Sequence, residues 1–131
     1  MKNRSTRQKQ AIRAAFTTAS RPLSPEETLA WAQKQHKTLG IATVYRNIKA
    51  LVEDRWLVPV DVPGQSSRFE LAGKKHHHHF YCSGCDKVYE LEGCSAAAKP
   101  RLPQGFMPTA HEFYVFGLCA VCAPKAGQAQ A

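Results

Sequence analysis

Four of the five cysteines in this chain of 131 residues stand in two Cys-x-x-Cys pairs, Cys82/Cys85 and Cys119/Cys122. Two intervening residues let one turn of chain present both sulfurs to a single ion, and four thiolates complete the tetrahedral shell that zinc prefers. A single pair would suit a redox dithiol equally well; two pairs favour zinc. A shell closed by four protein ligands has no open position for a substrate, so the site is structural. The pairs are separated by 33 residues, enough for a strand, a helix and another strand. Cys119 and Cys122 therefore clip the end of the chain to the middle of its second half. Cys94 stands apart. No apolar signal region follows the basic start, and no apolar run nears the length needed to cross a bilayer. The expected setting is cytoplasmic, with reduced thiols and no membrane partner.

The run His76-His77-His78-His79 is internal and leads straight into Phe80-Tyr81-Cys82, which sets it apart from a purification tag. A strand sends alternate side chains to opposite faces. His77 and His79 then face one way, and His76 and His78 the other, so one strand supplies two imidazoles to each of two metal sites. Imidazole suits zinc, iron, nickel, copper and manganese to different degrees, so the run does not name the metal. Each pair needs more ligands. Glu70, Glu90, Cys94, His111 and Glu112 are candidates by type, and residue type does not choose among them.

The elements that must position these groups can be read from periodicity. Ile12, Ala15, Phe16 and Ala19 recur at helical spacing and predict a first helix from about Thr6 to Ala19. Ser24-Pro25-Glu26-Glu27 is a strong helix start, with Ser24 as cap and Glu27 where a capping box needs it; this second helix should reach about Lys34. A third helix is predicted from Thr43 to Asp54. Val44, Ile48, Leu51 and Val52 form its apolar face, and Tyr45, Arg46 and Lys49 lie elsewhere on it. Two alternating segments, Trp56 to Val62 and Ser67 to Leu71, are joined by Pro63-Gly64-Gln65-Ser66 and read as a hairpin. Pro59 suggests an edge strand. Three helices and a hairpin are the order of a winged helix-turn-helix, whose third helix enters the DNA major groove.

Charge supports that reading. Of the net +8, residues 1–73 carry 12 Lys/Arg against 6 Asp/Glu, and residues 74–131 carry 6 against 4. Lys2, Arg4, Arg7, Lys9 and Arg13 crowd the first thirteen residues without an acid, as suits a polyanion. Candidate DNA contacts are Thr43, Tyr45, Arg46 and Lys49 with Arg4 and Lys9. Gly73-Lys74-Lys75 reads as a hinge. Beyond it come short strands, His76 to Cys82, Lys87 to Leu91 and Glu112 to Phe116, with room for a helix over Ser95 to Lys99. The expected architecture is α+β: a winged helix over residues 1–73, a small α/β dimerisation domain with structural zinc over 74–124, and a disordered Ala/Gln-rich tail over 125–131. So small a second unit needs a metal or a dimer interface to be stable.

Several stretches resemble the ferric uptake regulator family: Leu23-Ser24-Pro25-Glu26-Glu27, Gly40-Ile41-Ala42-Thr43-Val44-Tyr45-Arg46-Asn47, Arg68-Phe69-Glu70-Leu71, the His run leading into Cys82-x-x-Cys85, and Gly117-Leu118-Cys119-x-x-Cys122. They stand in family order from about residue 5 to 122. The resemblance implies a dimeric repressor, with metal at the domain junction setting its DNA-binding shape. It implies that Cys82, Cys85, Cys119 and Cys122 hold structural zinc, that Glu70, His77, His79 and Glu90 form a sensory hinge site, and that His76, His78 and His111 form a second site. Tyr45 and Arg46 match positions that meet base and phosphate. Two departures stand out. Many members place a sensory histidine just before the second helix, where this chain has Arg21-Pro22. The second site usually takes an acid from the dimerisation-domain helix, where this chain has Cys94 followed by Ser95 and alanines, making Cys94 a substitute ligand. Histidines and cysteine with few acids favour zinc as the sensed ion; iron, manganese or peroxide sensing is the alternative. The neighbourhood of Ala72-Gly73 lacks the cysteine that zinc-sensing relatives often carry there.

Function classes outside this one fare worse. The sequence has no His-Glu-x-x-His, no His-x-Glu ahead of Pro-Cys-x-x-Cys and no obvious activated nucleophile, so neither an enzyme nor a small organic substrate is expected. A metal-storage protein would explain the histidines but not the basic helical half.

Overall fold

The computed structural model describes residues 3–93 and 101–129, and the chain divides into two compact units, one ending at Gly73 and the other beginning at Lys74. In the first unit, Asn3 accepts the Thr6 amide at 2.8 Å and so starts helix α1 (Arg4–Ala19) two residues earlier than the apolar spacing predicts. Ala11, Ile12, Ala15 and Phe16 are its buried stripe. Ser20 at φ 54° ends it in the left-handed region. Helix α2 (Pro25–Ala32) opens with the expected capping box: the Glu27 amide donates to Ser24 Oγ at 3.1 Å and the Ser24 amide to Glu27 Oε1 at 3.2 Å. Helix α3 (Ile41–Glu53) starts directly after Gly40, and Val44, Ile48 and Leu51 face the core.

The wing is an antiparallel pair, β1 (Leu57–Val60) and β2 (Arg68–Leu71), in register from Leu57 opposite Leu71 to Val60 opposite Arg68. Pro59 sits in β1, whose sole strand partner among the described residues is β2, in keeping with its missing amide hydrogen. Leu23 and Phe69 exchange both backbone hydrogen bonds at 2.9 Å, tying the α1–α2 connection to the wing. One core results, built on Ile12, Phe16, Leu23, Leu39, Val44, Ile48 and Leu57, with Trp56 edge-on to Phe16 at 6.4 Å.

The second unit is a three-stranded sheet in the order β4 (Val88–Leu91), β3 (His78–Cys82), β5 (Tyr114–Gly117). β3 pairs antiparallel with β4 and parallel with β5. The strand opens at His78 rather than His76. The disordered tail expected from Lys125 is corrected by helix α4 (Cys122–Ala129). Lys125, Gln128 and three alanines within it are good helix formers. Pro124 falls in its first turn, and the Ala123 amide bonds the Cys119 carbonyl at 2.8 Å to lead into it. The helix expected over Ser95 to Lys99, with Cys94, lies outside the described residues.

Phe16 is 1% exposed at the centre of the first core. Phe16→Ala is expected to cost about 3–5 kcal/mol of that unit's stability by opening a cavity, as read by urea unfolding.

Candidate metal centres

The two Cys-x-x-Cys turns are built by the strands that precede them. β3 ends at Cys82 and β5 at Gly117, and these two residues are paired across the parallel ladder. The Ser83 amide bonds the Gly117 carbonyl at 2.9 Å, and the Asp86 amide returns to the Cys82 carbonyl at 2.9 Å. One candidate ligand atom from each of Cys82, Cys85, Cys119 and Cys122 lies within 4.8 Å of all the others. Cys85 Sγ and Cys119 Sγ are 3.9 Å apart, close to the roughly 3.8 Å edge of a tetrahedron with zinc–sulfur bonds of about 2.3 Å.

The thiols do not share one acidity. The Cys119 amide donates to Cys82 Sγ at 3.3 Å, and this bond lowers the Cys82 pKa. The backbone amide of Cys122 draws Cys119 down to about 6, while hydrogen bonding to Cys119 pushes Cys122 up to about 12. A divalent cation resolves that conflict by stabilising all four thiolates together. Gly84 allows the close approach. A Cβ there would stand 2.9 Å from both Cβ and Sγ of Cys122. The pair spacing alone did not single out this glycine.

The histidine run divides its imidazoles as strand alternation predicts. His76, His78 and His111 gather on one side, their candidate ligand atoms within 4.8 Å of one another. His76 Nε2 and His111 Nε2 are 3.1 Å apart, near the roughly 3.3 Å expected between two nitrogens on one tetrahedral zinc. His78 is buried, stacks on Phe113 at 3.9 Å, and leaves Nε2 without a hydrogen-bond partner among the described residues. Burial, then the neighbouring histidines, lowers its pKa and keeps the imidazole neutral. A buried, neutral, unpartnered nitrogen between two other imidazoles fits a metal ion. Glu112 is exposed and is not part of this cluster; Cys94 lies outside the described residues.

On the other side, the rings of His77 and His79 lie 4.8 Å apart. His79 sits opposite Glu90 across the β3–β4 ladder. His77 Nδ1 donates to the Lys75 carbonyl at 2.7 Å, and Nε2 lies 3.7 Å from Glu90 Oε1. Lys74 Nζ forms an ion pair with that same oxygen, a contact the sequence did not reveal. Glu70 belongs to the winged-helix unit, where it is buried on β2 opposite Val58. Arg21, where the resemblance leads one to expect a histidine, bonds Glu27 Oε2 at 2.6 Å and the Pro22 carbonyl at 3.0 Å. A guanidinium has no lone pair to offer a metal.

Of the candidate DNA contacts, Tyr45, Arg46 and Lys49 are exposed on α3, and Arg4 and Lys9 are exposed on α1. Thr43 is half-buried and accepts a hydrogen bond from Arg46 at 3.0 Å. The Tyr45 hydroxyl donates to Glu26 at 3.3 Å, and the Glu26 charge raises the phenol's pKa.

A winged helix followed by a small sheet that gathers thiolates and imidazoles defines a two-unit, metal-binding protein of the winged helix-turn-helix class. The chain belongs to the ferric uptake regulator family, whose family model matches residues 1–116. It is 33% identical over 87 residues to the ferric uptake regulation protein of Campylobacter jejuni, an alignment covering 64% of this chain and 55% of that protein. The match thus spans little more than half the length of that curated relative. Among solved structures, a zinc-bound manganese uptake regulator shares the fold with a TM-score of 0.72 at 22% identity, covering 89% of this chain and 91% of that one. FurB of M. tuberculosis, described as a zinc uptake regulator, matches with a TM-score of 0.51 at 26% identity, covering 91% and 95%.

Gly84→Ala is expected to weaken zinc binding at the four cysteines by about 1–3 kcal/mol, because an anchored Cys122 must move. Competition against a chromogenic chelator measures it.

Proposed function

We propose that this chain is a metal-responsive transcriptional repressor that binds operator DNA as a homodimer and controls metal-ion homeostasis, with zinc the ion sensed. One observation carries the reading: α3 holds Tyr45, Arg46 and Lys49 exposed on a winged-helix unit, in the same chain as thiolate and imidazole clusters suited to metal. Tyr45 and Thr43 are assigned to base edges. Arg46, Lys49, Arg4 and Lys9 are assigned to phosphates. The homodimer is supported by β5, which is hydrogen-bonded to a strand on one side and exposes Val115 and Phe116. No helix of the described residues is long and apolar enough to cross a membrane, and a DNA-binding role places the protein in the cytoplasm.

Cys82, Cys85, Cys119 and Cys122 are assigned to structural zinc. Glu70, His77, His79 and Glu90 are assigned to the sensory site; His76, His78 and His111, with Cys94, are assigned to the second. A sensory cation would supply bonds linking Glu70 of the wing to the histidine strand. Those four side chains would then restrict motion about Gly73 and favour the separation of two recognition helices that fits half-sites about 34–36 Å apart. Zinc is favoured because the His76/His78/His111 group contains imidazoles and no carboxylate among the described residues. The carboxylates Glu70 and Glu90 support a second reading, in which iron(II) or manganese is sensed.

Fluorescence anisotropy on operator and scrambled DNA tests the assignment. His77→Ala with His79→Ala is expected to abolish the metal dependence of operator binding; unchanged dependence would refute the hinge site. Tyr45→Ala is expected to lose about 1–3 kcal/mol of operator preference while retaining salt-sensitive binding to any sequence. An equal loss on both DNAs would remove Tyr45 from base reading.

A further inference from the structure

We propose that Lys74 sets the affinity of the sensory site: its ammonium holds the place beside Glu90 that the regulatory cation must take, and is displaced when that cation binds. The proposal rests on the reading of His77 and Glu90 as sensory ligands. Lys74 Nζ pairs with Oε1 of Glu90. His77 Nε2 lies 3.7 Å from that same oxygen, and its other ring nitrogen, Nδ1, faces the Lys75 carbonyl at 2.7 Å. An imidazole nitrogen and a carboxylate oxygen thus converge on a space that a monovalent cation already contests.

An ammonium carries three donors and no acceptor, so it cannot join the ligand set while charged. Held on the coordinating oxygen it would lie within a few ångströms of a divalent ion, where like charges repel strongly. The groups that support metal ligands are ordinarily carboxylates, carbonyls or water, as the Lys75 carbonyl is for His77. A cation on the ligand itself opposes the metal. Partial burial sharpens the contest. The side chains of Lys74 and Glu90 are each 25% exposed and that of His77 is 15% exposed, so solvent only partly screens the charges. Lys74 therefore neutralises Glu90 when metal is scarce and raises the free-metal level needed to fill the site.

The test is a cobalt(II) titration of full-length protein whose four-cysteine site already holds zinc, followed by visible absorption. The transition scored is the one that His77→Ala removes. Lys74→Gln is expected to tighten that transition roughly three- to tenfold. Lys74→Arg, which keeps the charge, should stay near the parent. Raising salt should narrow the gap between Lys74→Gln and the parent, because salt weakens the pair that only the parent must break. Weaker binding by Lys74→Gln would make Lys74 a positioning group for Glu90 and overturn the proposal, as would unchanged affinity. If no cobalt transition responds to His77→Ala, the assignment of the sensory site fails instead, and the two failures are distinguishable.

Discussion

Four sulfur atoms drawn to within 4.8 Å of one another are the constraint on which the second unit depends. Its buried apolar side chains among the described residues are Tyr81, Cys82 and Val88. At about 25 cal/mol per Å² of apolar area, so few side chains do not offset the cost of ordering the chain. The cysteine turns follow β3 and β5 directly, and the two strands are parallel. One cluster therefore anchors both strands at the same end. Hydrogen bonding holds Cys119 and Cys122 at opposite acidities, one low and one high. A divalent cation would favour the thiolate form of all four cysteines and add its binding free energy to the unit's stability.

A strand held at its cysteine end presents its histidines in a fixed alternation. The parallel register with β5 sets Phe113 beside His78 and helps bring His111 to His76. The antiparallel register with β4 sets Glu90 opposite His79 and within reach of His77 and Lys74. The two faces differ in chemistry. One collects imidazoles, with a neutral His78 at its buried centre. The other couples imidazoles to a carboxylate, so its charge responds to cations. The run His76 to His79 thereby offers ligands to two candidate sites that need not bind the same ion with the same strength.

Features coded by local spacing were legible in the sequence. The capping box at Ser24 and Glu27, the buried stripe of α1, the apolar face of α3 and the paired cysteines all lie within a few residues of one another. Features decided by register were not. Residue type did not choose between His111 and the adjacent Glu112; the family resemblance named His111, and the β3–β5 pairing gives the physical reason, because only His111 joins His76 and His78. The Lys74–Glu90 pair spans 16 residues and exists because β3 folds back on β4. Gly84 needed the approach of the second cysteine turn to become a constraint. The tail was misread for a different reason: an Ala/Gln-rich end looks unstructured alone, yet it forms a helix where a cysteine turn starts it.

The proposed function joins this metal-organised unit to a basic winged helix through the short segment at Gly73. Linkage then requires metal and operator to strengthen each other's binding by one common factor. The most direct measurement is operator affinity across buffered free zinc, paired with the zinc affinity of the sensory site with and without saturating operator. The account predicts that zinc tightens operator binding and that operator tightens zinc binding by the same factor. Operator affinity unchanged from zinc-free sensory sites to saturated ones would contradict it.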